Sequence, residues 1–246
     1  QMISRLEVST EMATLTFIAI DIETTGFAID DEVTVVGIAL PLGCRVFLQP
    51  AGQAEPGDLE AATLENTVRE RMDRHVQVSV HPNEAALLET FATDRLVDDE
   101  HLLVAYNGEC WNGGFDLPFL RTRLAATDLE WPFSELPYAD LLPVVDDLFN
   151  TTVDGEAVTT LPAAYAALCD GEYNAIDPFE NSAEATTAIA EGRSVELLVH
   201  NVADIRRTAA LGAVAQRYCS RSDFQLKSLT PLTQERTQRQ QRPQRR

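Results

Sequence analysis

Lysine is almost missing from this chain. Of 246 residues only Lys227 is one, and 19 lysines and arginines face 39 aspartates and glutamates, a net charge of −20. Such a surplus of one sign repels itself in dilute buffer, and molar salt screens that repulsion within a few ångströms. The composition therefore predicts a protein working in multimolar salt, as in a haloarchaeal cytoplasm. It also argues, taken alone, against a nucleic-acid partner. That objection weakens in high salt, where the affinity from counterion release is already lost and contacts must be local.

Other absences narrow the classes further. The four cysteines, Cys44, Cys110, Cys169 and Cys219, are widely spaced, with no CxxC pair and no zinc-ligand spacing. Free thiols in a reducing compartment are expected. Apolar runs fall well short of the roughly 18–20 residues of a membrane span, so no membrane contact is expected. The opening "QMISRLEVSTEMAT" lacks a basic-then-apolar leader, which leaves a cytoplasmic location as the expectation.

The remaining sequence is that of a globular chain, 45% hydrophobic and long enough for one fairly large domain with appendages. Residues 1–14 form a leader, 15–228 the domain, and 229–246 a tail. That tail is Gln/Arg-rich, with five arginines in "TQERTQRQQRPQRR", and is expected to be disordered. Strands are expected at 17–23, in "EVTVVGIAL" (32–40), in "CRVFLQP" (44–50), in "HLLVAYN" (101–107) and in "LPYADLL". Helices are expected over 57–75 and 83–99, from Asp116 to Ala126, near 141–149 and 160–169, and from Ser194 to Tyr218. An early antiparallel meander followed by strand–helix alternation predicts an α/β fold, a mixed five-stranded sheet with helices on both faces.

Within this frame "FIAIDIETTGF" (17–27) is anomalous. A buried apolar strand ends with Asp21 and Glu23, which the two-residue period of a strand places on one face. Two further stretches share that acidity. "WNGGFDLPFLRTRL" places Asp116 at the mouth of a helix, and "LLVHNVADIRRTAAL" places His200 and Asp204 one helical turn apart. On that helix Val195, Leu198, Val199, Val202, Ile205 and Ala209 form a core stripe. A second stripe runs through Leu197, His200, Asp204, Thr208 and Leu211. Four carboxylates sharing a site need cations to remain ionised. Hard oxygen ligands favour Mg²⁺ or Mn²⁺, and a pair of such ions activates water for phosphodiester cleavage.

These motifs resemble those of the DEDD superfamily of 3′–5′ exonucleases, which have an RNase H-like fold. "DIETTG" is similar to its first motif. "YNGECWNGGFDLPFL" resembles the second, as found in exonuclease domains of family B DNA polymerases and in YprB-type proteins. "HNVADIRRTAAL" resembles the third, and the likeness covers about residues 15–228. The resemblance implies metal ligands Asp21, Glu23, Asp116 and Asp204, holding two divalent cations, with His200 beside them in the catalytic set as general base or water-orienting group. It implies Thr24, Thr25, Gly26 and Phe27 against the terminal nucleotide, and Asn107 or Asn112 positioning the strand. The implied activity is hydrolysis from a 3′ end, of DNA before RNA, with a replication or repair partner; the alternative is a non-catalytic RNase H-like module binding nucleic acid or a repair partner. In the tyrosine-type branch the third motif is Tyr, three residues, Asp; in the histidine-type branch it is His, four residues, Asp. This chain has histidine at the tyrosine-type spacing.

Overall fold

A computed structural model describes residues 16–53, 60–94, 101–109, 114–134 and 136–232. The chain runs β1 (Thr16–Thr24), β2 (Val33–Leu40), β3 (Gly43–Leu48), α1 (Ala61–Met72), β4 (Val76–Val80), α2 (Glu84–Thr93) and β5 (His101–Ala105). It continues through α3 (Asp116–Ala126), β6 (Pro137–Asp140), α4 (Leu141–Leu148), the small hairpin β7 (Thr152–Val153) and β8 (Glu156–Ala157), α5 (Leu161–Leu168), α6 (Glu172–Ile176), α7 (Ser182–Ala190), α8 (Ser194–Tyr218) and β9 (Lys227–Ser228). The sheet order is β4-β3-β2-β1-β5-β6-β9. The expected α/β mixed sheet is present, and β1–β2–β3 form the expected antiparallel meander. The sheet has seven strands rather than five. Both additions are short: β4 is "VQVSV" between two helices, and β9 has two residues held against β6. No stretch that brief separates strand from turn by periodicity alone. The leader and residues 233–246 of the tail lie outside the described residues, as do Cys110 and Asn112. Leu229, read as the first tail residue, is buried in the core.

Strand alternation sorts the side chains into two cores. Ile18, Ile20 and Ile22 of β1 pack with Leu87 and Phe91 of α2 and Leu117 and Leu120 of α3. Ala19, on the opposite face, joins Leu198, Val202 and Ile205 of α8, with α1 and α4–α7 around it. Asp21 and Glu23 share the parity of Ala19, so they face α8.

The small residues Ala19, Gly37 and Ala39 lie under α8 and let it approach the sheet closely. A Cβ on Gly212 of the helix would sit 2.6 Å from the Phe17 ring. Helix α8 is correspondingly buried around most of its circumference. Beyond the two expected stripes, Asn201, Ala203 and Arg207 are also buried, whereas Val195 and Ala209 are only half-buried. A helix covered by other helices on its far side has no solvent stripe. Among the described residues, no helix is long and apolar enough to cross a membrane. Cys44, Cys169 and Cys219 are free thiols.

Candidate active site

β1 is central in the sheet, yet its pairing with β5 stops at Ala19–Val104. Beyond that point β5 turns away through Tyr106 and Asn107, and a cleft opens over the last residues of β1. Asn107 takes a left-handed conformation, φ 62°, which asparagine tolerates better than most residues. Asp140 holds the turn: its carboxylate oxygens accept the backbone N–H groups of Asn107 and Gly108 at 2.8 and 3.0 Å. The turn in turn seats α3, because Phe115 N–H donates to Asn107 O and Leu117 N–H to Gly108 O. Asp116 thereby becomes the first residue of a helix pointing into the cleft, where the helix dipole favours an anion.

A cavity of about 220 Å³ lies where these elements meet α8. Asp21, Glu23, Asp116, His200 and Asp204 all line it, together with Thr24, Phe27, Asn107 and Phe115. A larger groove of about 730 Å³ adjoins it and shares Asp21, Tyr106, Asn107, His200 and Asp204. The five residues expected to carry the chemistry are thus brought together from β1, α3 and α8. Thr25 and Gly26 are not on the cavity wall. Instead the Thr25 hydroxyl donates to Asp31 Oδ1 at 3.0 Å, closing the loop after β1. Phe27 stands 67% exposed at the rim, its ring edge-on to Phe115 at 5.0 Å.

The acids disturb one another strongly. Burial, then the charges of Asp116, Glu23 and Asp204, push Asp21 well above the usual carboxylate range. Burial, then Glu23, Asp140 and Asp204, do the same to Asp116. Glu23 is raised to about 7, chiefly by burial and despite the opposing charge of His200. Asp204 is raised by burial, although His200 and Arg207 offset part of the rise. Desolvated like charges without a balancing cation favour protonation. This is a hard-oxygen donor set short of positive charge, and it fits divalent cations of the Mg²⁺ or Mn²⁺ type.

Three polar side chains that touch the expected site residues were not among the residues expected from the sequence. Asn201 Nδ2 donates to Asp21 Oδ2 at 2.8 Å. Asp177, on the loop after α6, meets His200 Nδ1 at 2.8 Å. Arg207, 1% exposed, joins Asp177 at 2.6 Å and also pairs with Asp204. Helical spacing places Arg207 one turn beyond Asp204, a readable signal; nothing in the sequence marks Asp177.

Asp177, His200 and Asp204 bring potential ligand atoms within 4.8 Å of one another. The Arg207 cation occupies the space a metal would take between the two aspartates, and Asp177 faces the ring nitrogen turned away from the cavity. The trio is joined through Arg207 as an ion-pair network. Burial lowers the His200 pKa, but the Asp177 hydrogen bond and the charges of Asp204, Glu23 and Asp177 outweigh it, and the ring titrates at about 9. Compared with protein-family models and with curated proteins, the chain matches none.

Proposed function

We propose that this chain is a divalent-cation-dependent nuclease that hydrolyses phosphodiester bonds from a 3′ end, with DNA as the favoured substrate. One observation carries the reading: four carboxyl groups from β1, α3 and α8 converge in a desolvated cluster beside an open groove. A fold spends stability on such a cluster when it binds cations. Asp21, Glu23, Asp116 and Asp204 would hold them, and two divalent ions would neutralise the acids and act as Lewis acids on the scissile phosphate.

The chain's own groups would do the rest. The exposed Phe27 ring, braced by Phe115, offers a face for the terminal base, a contact worth roughly 1–3 kcal/mol in single-strand binding. Asn107, whose turn Asp140 fixes, also lines the cavity. His200 Nε2 lies 3.6 Å from Asp204 Oδ2 and 3.9 Å from Glu23 Oε1. From there it can take the proton of an attacking water once the surrounding negative charge is neutralised. Water adds to phosphorus as His200 takes one of its protons, the bond to the 3′ oxygen of the preceding nucleotide breaks, and that oxygen takes up a proton from solvent.

The test is release of label from 3′-labelled and 5′-labelled single strands in Mg²⁺ or Mn²⁺ at high KCl. Immediate release of mononucleotide from the 3′-labelled strand alone is expected. Strand binding without any cleavage would replace this reading with a non-catalytic binding module.

A further inference from the structure

His200 is aimed from behind. Asp177 Oδ1 accepts from Nδ1 at 2.8 Å and from the Phe179 backbone N–H at 3.0 Å. Its Oδ2 accepts from Arg207 Nη1 at 2.6 Å. Arg207 is itself fixed, with Nε donating to Asn174 Oδ1 at 2.8 Å and Nη2 to the Tyr173 carbonyl at 3.1 Å. The Phe179 ring packs against the imidazole, centroids 5.1 Å apart. Both oxygens of Asp177 are committed; Asp177 borders the adjoining groove but not the smaller cavity, and the ring it holds presents Nε2 to Glu23 and Asp204.

Resting on the nuclease reading, we infer that Asp177, locked by Arg207, is the positioning residue for His200, holding Nδ1–H so that the Nε2 lone pair faces the reacting water. The physical basis is tautomer control. A neutral imidazole carries its proton on one nitrogen, and the group bonded to Nδ1 decides which nitrogen is left as acceptor. A buried ion pair contributes little net stability against an apolar replacement. What Asp177 and Arg207 do supply is geometry. Arg207 extends that geometry to a second cavity residue, because the same guanidinium nitrogen pairs with Asp204. His200 and Asp204 are thus held in register by one buried cation.

The experiment uses the full chain, labelled with ¹⁵N-histidine, in high KCl with Mg²⁺; His200→Gln assigns the ring signals. Above the pH at which the ring titrates, the wild type is expected to show a single neutral tautomer protonated at Nδ1. A neutral ring protonated at Nε2 would overturn the inference without any variant. In Asp177→Asn the amide nitrogen must face either Nδ1 or Arg207, so one of the two bonds is lost. Mixed tautomers are expected, with kcat down roughly 10–100-fold and KM little changed. In a His200→Tyr background the same substitution should add almost nothing, since coupled residues are non-additive. An unchanged Nδ1–H signal in Asp177→Asn, or equal losses in both backgrounds, would show Asp177 to be only a packing residue. If the wild type cleaves nothing, the nuclease reading fails, and the ring spectra alone still decide whether Asp177 orients His200.

Discussion

Asn201 and Asp21 are joined across 180 residues of chain: Asn201 Nδ2 donates to the Asp21 carboxylate at 2.8 Å and to its backbone carbonyl at 3.3 Å. The other end of the same amide presses on the sheet. Gly37 pairs with Asp21 across the β1–β2 ladder, and a Cβ there would lie 1.9 Å from Asn201 Oδ1. That oxygen is buried with no hydrogen-bond partner among the described residues. The absent side chain of Gly37 is what allows the amide to reach the first acid of the cluster.

Gly37→Ala should therefore displace Asn201. Overpacking of this kind costs about 1–3 kcal/mol, and each kcal/mol lowers the melting temperature of a chain this size by about 2–4 °C. Cation affinity should fall as well, because the Asn201 bond favours the ionised form of Asp21. Asn201→Ala added to Gly37→Ala should restore most of the melting temperature and none of the Mg²⁺ affinity. Thermal melts with titration calorimetry check both; additive melting shifts would refute the contact.

Asp116→Asn should separate stability from activity. In the cation-free protein Asp116 is a buried acid raised by its own desolvation and by Glu23, Asp140 and Asp204. Replacing it by an amide of equal size removes that repulsion, so the apo variant should melt no lower than wild type and up to several degrees higher. Cleavage should drop by at least about 10²-fold, the scale of losing one charge-stabilising group. Asp204→Ala is a less clean probe, since it strips one partner from buried Arg207. EDTA should abolish wild-type cleavage; full activity in chelator would end the cation reading.

Much of this site was legible because its acids sit where periodicity is strong. Asp21 and Glu23 stand out as charges on the buried parity of a strand, and Asp116 as an acid after glycines at a helix start. His200 and Asp204 follow from the spacing on α8. Asp177 and Asn201 were not legible, and Arg207 only through its one-turn spacing from Asp204. Asp177 lies on a loop whose position depends on α5–α8 packing, Arg207 lies on a face of α8 that would be solvated on an ordinary amphipathic helix, and Asn201 sits between the two stripes with nothing in the sequence to mark Asp21 as its partner. The same limit explains β4 and β9: strands of five and two residues are made by partners distant in sequence.

Salt should stabilise the fold. With a net charge of −20 and one lysine, self-repulsion across the surface is unscreened in dilute buffer. The Debye length shrinks from about 10 Å at 0.1 M to about 3 Å at 1 M. The melting temperature should rise steadily from about 0.1 M to molar KCl. A flat or falling curve would refute the salt-adaptation reading and leave the site untouched.

Glu23, His200, Asp21 and Asp116 set the response to pH, and its sign follows from all four pKa values being higher in the folded chain. Burial raises Glu23 from 4.5 to about 7. The folded protein therefore binds the extra proton across that window, and the stability this confers is full below about 4.5 and lost as pH rises through 7. His200, raised from 6.5 to about 9 by Asp177 and the neighbouring acids against the opposing effect of burial, contributes stability that is full below 6.5 and lost through 9. Asp21 and Asp116 are displaced in the same direction. Asp177, held below 3.8 by His200, Phe179 and Arg207 against its burial, acts in the opposite sense only at lower pH. The apo protein should thus lose stability between pH 5 and 9, by at most about 1.4 kcal/mol per pH unit for each titrating group. Divalent cations bind the deprotonated carboxylates, so the stabilisation by saturating Mg²⁺ should widen over the same range. Melts at pH 5, 7 and 9, with Mg²⁺ and with EDTA, measure it; an Mg²⁺ shift that is constant or shrinks with pH would mean that the acids at the end of β1 do not bind the cation.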